Sequence, residues 1–282
     1  MRRTRTIIQA LTTGTLLTVG VVVNSPAAQA ITIPVACSEG ALVAAINLAN
    51  STATSDTLVL ASGCTYAMTA AHGGLTNALP VITTPVEMIG PATVTRTSLL
   101  PFRIAEVSAT GSLTLTTSVA FTNGSAVGNG GGILNHGAVT LTRSSLSGNT
   151  ATLNGGGLAN ADTPSGTAPA ATFTRSPVQS NAALLDGGGI YNGLRGTLTV
   201  TGVSGSPLPV TGNTGSQGGG IAAVNSTATT LTQTAVTTNS ALLNAGGVYR
   251  VGGTMTTTNA PISANTPNNC VGSTPAVPNC TG

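Results

Sequence analysis

Gly130-Gly131-Gly132-Ile133-Leu134-Asn135 is followed by Gly155-Gly156-Gly157-Leu158-Ala159-Asn160 and then by Gly187-Gly188-Gly189-Ile190-Tyr191-Asn192. Gly218-Gly219-Gly220-Ile221 and a degenerate Ala245-Gly246-Gly247-Val248-Tyr249 continue the series. The runs start 25, 32, 31 and 27 residues apart, a spacing of solenoid scale. Each unit has three parts. The glycines lead into an apolar residue; a short alternating segment follows, such as Ala138-Val139-Thr140-Leu141-Thr142; a third segment ends at an Asn. Alternation of Val and Leu with Thr has the period of a strand. Three short strands cannot close a core alone, but stacked coil on coil their inward Ile, Leu and Val form one column. The expectation is a parallel β-helix.

The recurring Asn residues are Asn149, Asn181, Asn213, Asn239 and Asn265, with Asn123 in the matching place after Phe121. Asn tolerates left-handed turns, and its amide can bond to the coils above and below, so a ladder is expected. Upstream, Asp56–Leu60, Val86–Ile89 and Ser112–Thr116 read as strands of earlier coils, giving about eight coils in all. Glu39 to Asn50 reads as a helix, with Ser38 as N-cap and Leu42, Val43, Ile46, Leu48 and Ala49 near one face. It would cover the open end of the first coil. The expected division is a leader over 1–30, a cap over 31–55 with its helix at 39–50, a β-helix over 56–268 and a tail over 269–282.

Composition agrees. The 282 residues include 37 Gly, 50 Thr and no Trp; charged residues make up 5%, against about 25% in an ordinary domain. A coiled coil and a nucleic-acid binder are excluded by this poverty of charge. Disorder is excluded by 40% hydrophobic content and a mean hydropathy of +0.33. All nine basic residues are Arg. Arg2, Arg3 and Arg5, an apolar stretch from Ile7 to Val23, Pro26 and Ala28-Gln29-Ala30 read as a secretory signal peptide cleaved after Ala30. The competing reading is an uncleaved membrane anchor. Cleavage would leave six Arg and six acids, a net charge of zero, and no further segment long enough to span a membrane.

Export makes Cys37, Cys64, Cys270 and Cys280 disulfide candidates, with three possible connectivities. Eight coils stacked about 4.8 Å apart separate the chain ends by about 35 Å. Bridged Cα atoms lie within about 7 Å of each other. The expected pairs are therefore local, Cys37–Cys64 and Cys270–Cys280.

The Gly-Gly-Gly-Ile-x-Asn units, with Gly148-Asn149-Thr150-Ala151, resemble secreted bacterial right-handed parallel β-helix repeat proteins of pectin-lyase-like fold. The run from Cys37 through the helix to Gly63-Cys64-Thr65-Tyr66 is similar to the opening of such proteins from actinobacteria. The resemblance implies an all-β, right-handed solenoid; its motifs are structural and imply no activity. The glycine half of the repeat of chlamydial polymorphic outer membrane proteins is matched at 131–133, 188–190 and 219–221, but its Phe-x-x-Asn half is not.

Chemistry is sparse. Asp162 and Asp186, the only acids after Glu106, are the candidate catalytic pair, in adjacent units. No third acid joins them, so neither a calcium site nor any cofactor is expected. His72 and His136 read as turn residues, and no Gly-x-Ser-x-Gly turn is present. Arg143 and Arg175 align one coil apart, with Gly202, Gln233 and Thr257 at the later equivalent positions, and are the candidate ligands for an anionic glycan or phosphate. Tyr191 and Tyr249 share one repeat position two coils apart. Thr-x-Thr pairs at 114–116, 140–142, 172–174, 197–199 and 230–232 raise ice binding, although unequal coil lengths argue against a regular lattice. The expectation is a secreted, non-enzymatic β-helix that binds a polysaccharide or a cell-surface component. The alternative, a polysaccharide lyase or hydrolase, requires Asp162, Asp186 and an arginine to converge in one groove. Oligomeric state is left open.

Overall fold

The computed structural model describes residues 29–161 and 167–282. The leader reading falls on residues outside that set, apart from Gln29 and Ala30. Among the described residues the chain forms a parallel β-solenoid of about 8 turns with a single short helix. Four sheets run along it, of nine, eight, six and five strands, where the sequence suggested three segments per coil. The fourth sheet is built from pieces as short as Thr150–Ala151 and Ala182–Ala183, too brief to alternate visibly.

The nine-stranded sheet shows how the pattern makes the core. Its strands include Asp56–Leu60, Pro85–Ile89, Ser112–Thr116, Ala138–Thr142, Ala170–Thr174, Thr197–Thr201, Ala228–Thr232 and Thr254–Thr258. Strict register stacks Leu58, Met88, Leu115, Leu141, Phe173, Val200 and Leu231, all fully buried, into one inward column. Each such side chain contributes about 1.5–3 kcal/mol on leaving water. Unequal coil lengths do not disturb this register, because the extra residues lie between strands, as between Asn160 and Ala170 and at Gly202–Ser206.

The solenoid begins earlier than position 56. Thr32–Val35 pairs in parallel with Asp56–Leu60, so the helix interrupts the first coil rather than preceding it. The helix spans Glu39–Ala49, with Asn50 as its C-cap. The Ser38 hydroxyl accepts the Ala41 N–H at 3.2 Å. Its buried face is Leu42, Ala45, Ile46 and Ala49, an i, i+3, i+4, i+7 set. Leu48, expected on that face, is 49% exposed because it points a turn away, and Val43 is only half-buried.

Both expected disulfides are present, with Cα atoms 5.6 Å apart for Cys37–Cys64 and 6.4 Å for Cys270–Cys280. The second fixes the tail over the last coil, where Val277 and Cys270 are buried. The Thr257 hydroxyl donates to the Pro278 carbonyl, and the buried Arg250 guanidinium donates to the carbonyls of Ala276, Gly252 and Gly253. Among the described residues no helix is long and apolar enough to cross a membrane.

Candidate functional site

Three polar columns hold the corners, and they decide which side chains are free for other work. In the first, Asn149, Asn181, Asn213, Asn239 and Asn265 stack within the core wall. Each side-chain Nδ2 donates to the next Oδ1 at 2.9–3.1 Å, and each Oδ1 also accepts the backbone N–H of the Asn before it. Asn269 closes the far end. Asn123 does not belong to this column. Gly124 occupies the place beside Asn149, while Asn123 sits one residue earlier, exposed, at φ 58°, and donates to Thr95 Oγ1.

The second column is Asn135–Asn160–Asn192, ending on the Thr229 hydroxyl. It is the last residue of the quoted glycine motif, legible in the sequence but lost at the fourth unit, where Ala223 stands at this position. The third column precedes the glycine runs: Asn129 Oδ1 accepts from the Asn154 backbone and amide, and Asn154 Oδ1 accepts the Asp186 N–H. Asp186 is thus a corner residue in an amide column. Burial pushes its carboxyl above the ordinary range, partly offset by the Gln217 N–H, and burial with the nearby Asp186 charge raises the Tyr191 phenol. Asp162 lies outside the described residues. No cluster of three His, Cys, Asp or Glu side chains occurs among the described residues.

The other charges are mostly committed to the fold. For the half-buried Glu39 carboxylate the largest single influence is desolvation, which acts upward. Donors from Thr69, His72 and Ala70 outweigh this and hold it below its usual value, so His72 serves the cap, 2.9 Å from Glu39. His136 Nδ1 lies 2.7 Å from the Ala161 carbonyl. Asp56 is fully buried and accepts from Ile31 N–H and the Thr52 hydroxyl. Arg103 pairs with Glu106 and Asn77, and Arg96 donates to three backbone carbonyls and lies over the Phe102 ring.

Arg143 and Arg175 differ. Both are exposed corner residues at φ 52°, and among the described residues neither guanidinium has a hydrogen-bond or ion-pair partner. Thr142 and Thr174 are register partners, which puts the arginines on adjacent rungs. The corner continues through Gly202 and Gln233 to Asn259; the Thr257 of the sequence alignment belongs to the inward column, because Thr232 pairs with Thr258. The two arginines border a depression of ≈ 470 Å³ whose other lining residues include Ser118, Ser144, Ser145 and Pro177. Tyr191 and Tyr249 share one column with Ala222 between them, so they form no continuous aromatic platform.

The outward face of the nine-stranded sheet carries two complete columns, Thr114-Thr140-Thr172-Thr199-Thr230-Thr256 and Thr116-Thr142-Thr174-Thr201-Thr232-Thr258. Comparison with family models, with curated proteins and with solved structures finds no match for this chain.

Proposed function

We propose that the protein acts outside the cell as a non-enzymatic solenoid that binds an anionic polysaccharide at the Arg143–Arg175 depression, as an adhesive surface would. One observation carries this reading. Among the described residues, these are the two adjacent rungs that bear like charge, and their guanidinium groups have no partner in the fold. Guanidinium groups suit planar carboxylates and sulfates, which they bind through paired N–H donors. The surrounding Ser118 and Ser145 offer hydroxyls to sugar. Two disulfides are compatible with an oxidising, extracellular setting.

The test is co-sedimentation with sulfated, carboxylated and neutral polysaccharides, with polymer chain length measured in each tube. Anionic polymers are expected to bind, and Arg143→Gln with Arg175→Gln to weaken binding by roughly thirtyfold, at about 1 kcal/mol per exposed charge-assisted contact. Equal binding of neutral polymers refutes the reading. Shortened chains would replace it with the lyase or hydrolase alternative.

A second reading rests on the threonine columns. Twelve threonines in register form a grid with rungs about 4.8 Å apart and outward residues about 6.6 Å apart along each strand. Apart from Thr116, which donates to Glu87 and to the Met88 carbonyl, these hydroxyls make no hydrogen bond to another described residue. Such a grid can order a sheet of water, which supports ice binding. Thermal hysteresis that disappears in Thr172→Tyr would establish it, and its absence in the native protein would remove it.

A further inference from the structure

The face built on the five-stranded sheet carries a ridge and a trough that fit each other. The ridge is a pair of leucines on one rung, Leu242 at 82% and Leu243 at 55% exposure. The trough, of ≈ 260 Å³, is centred on Thr150–Ala151, floored by small residues of the strands on either side and walled by Leu184, with Leu153 exposed at the end of its rung. Register places ridge and trough three rungs apart, through Ala182–Ala183 and Thr214–Gln217. Between them a second leucine pair, Leu184 at 71% and Leu185 at 46%, is followed by a gap at Gly215 and Ser216.

This order is complementary to its own inverse. Turn one copy by a two-fold axis midway between the Leu184 and Ser216 rungs. Its Leu242 rung then meets the trough of the other copy, and its Leu184 rung meets the Gly215–Ser216 gap, each contact occurring twice. Self-complementarity of this kind defines an isologous interface. The described residues of the face carry no charge except Asp186 at its edge, so no like charges meet and an acidic or basic partner finds nothing to pair with. The exposed leucines offer roughly 200–400 Å² of apolar side chain per copy, in the range of functional patches on monomers. Doubled by the two-fold axis, they form the apolar centre of a small, reversible interface, with the surrounding Thr and Ser as its rim.

We propose that the protein forms an antiparallel two-fold dimer through this face, with Leu242 of each copy seated in the other copy's trough at Thr150–Ala151. Sedimentation velocity on the purified protein across about 1–100 µM is the first test. The expected result is a concentration-dependent doubling of mass that Leu242→Asp abolishes, with circular dichroism and melting temperature unchanged. A monomer throughout this range, or a dimer that survives Leu242→Asp, overturns the proposal. Cysteine cross-linking tests the arrangement separately, at side chains that are exposed; Thr152 gives up only the bond that its hydroxyl accepts from the Gly128 N–H. Thr152→Cys with Leu242→Cys in one chain should give a disulfide-linked dimer on a non-reducing gel, whereas Leu242→Cys alone should not, since the two 242 positions lie about three rungs, roughly 14 Å, apart across the axis. Linkage by Leu242→Cys alone, or none in the double variant, would overturn it.

Discussion

Asn181→Ala removes the middle of the first amide column. The side chain is 1% exposed. Its Oδ1 accepts the Asn149 N–H and Nδ2, and its Nδ2 donates to the Leu146 carbonyl and to Asn213 Oδ1. Alanine leaves two buried backbone groups, the Asn149 N–H and the Leu146 carbonyl, without those partners. Asn149 keeps its bond to the Phe121 carbonyl, and Asn213 keeps the Asn181 N–H, so neither amide is wholly orphaned. At about 1–3 kcal/mol for each buried unsatisfied group, the loss is about 2–6 kcal/mol. The control is Asn123→Gly. It removes one part-buried side-chain bond, to the Thr95 hydroxyl, while suiting the φ of 58°, and should change stability by about 1 kcal/mol at most. Urea unfolding followed by far-UV circular dichroism measures both. Because solenoid coils interact mainly with their neighbours, the transition of Asn181→Ala can broaden, so midpoint and slope are read together. A loss below about 1 kcal/mol, or one equal to that of Asn123→Gly, would refute the claim that this column carries the corner.

Gly188→Ala should destabilise by about 3 kcal/mol in the same assay, because a Cβ there would lie 2.2 Å from the Thr214 carbonyl oxygen. Gly40→Ala, in a helix position with nothing within 4 Å, should instead stabilise by up to about 1 kcal/mol. Cys270→Ser with Cys280→Ser opens a link over a sequence separation of 10 and should lower stability by about 3 kcal/mol, read as a lower melting temperature. Asp186 has its folded pKa raised by burial, so between its unfolded and folded pKa the native state holds the extra proton and stability falls as pH rises. Asp186→Asn, matching Asn154 in the same column, should therefore stabilise at neutral pH, with the gain vanishing as pH drops below the unfolded pKa in a pH series of melts. Arg175→Gln should raise stability by up to about 1 kcal/mol at low ionic strength and by less in high salt, since Gln233 already adopts φ 49° at the equivalent corner. A drop in stability, or a gain indifferent to salt, would mean the two arginines do not repel.

The inward column was legible because alternation fixes direction: Leu141 and Phe173 could only point into a stack that turned Thr140 and Thr172 outward. The local disulfides followed from length alone. What misled was a residue type with two uses. Asn tolerates a left-handed corner and can also bridge coils, so Asn123, a corner residue, looked equivalent to Asn149 one step along. The helix face went astray for another reason: hydrophobicity marks Leu48, whereas helical geometry selects the smaller Ala45. Unequal repeat lengths argued against a regular threonine face, yet the extra residues lie between strands and leave all twelve threonines in register. That Arg143 and Arg175 find no partner among the described residues was beyond the sequence, because it depends on which side chains the corners bring near them.

The scarcity of charge follows from the stacking itself. Register places each residue about 4.8 Å from its equivalents in the coils above and below. A charge repeated on successive rungs would meet its own kind at about 0.9 kcal/mol per step in bulk water, and about 3.5 kcal/mol at an effective dielectric constant of 20. Thr and Asn repeat without that cost, and Asn gains a bond at every step. Charges accordingly enter the columns singly: Glu87 lies between Thr57 and Thr114, and Asp186 takes its place after Asn154. Arg143 and Arg175 break the rule, at a corner where Gly202 and Gln233 show that a neutral residue fits. Splaying into solvent reduces their repulsion but leaves both groups unpartnered. An anion between them would turn that repulsion into two attractions, which is why this pair, rather than the more numerous threonines, leads the functional reading.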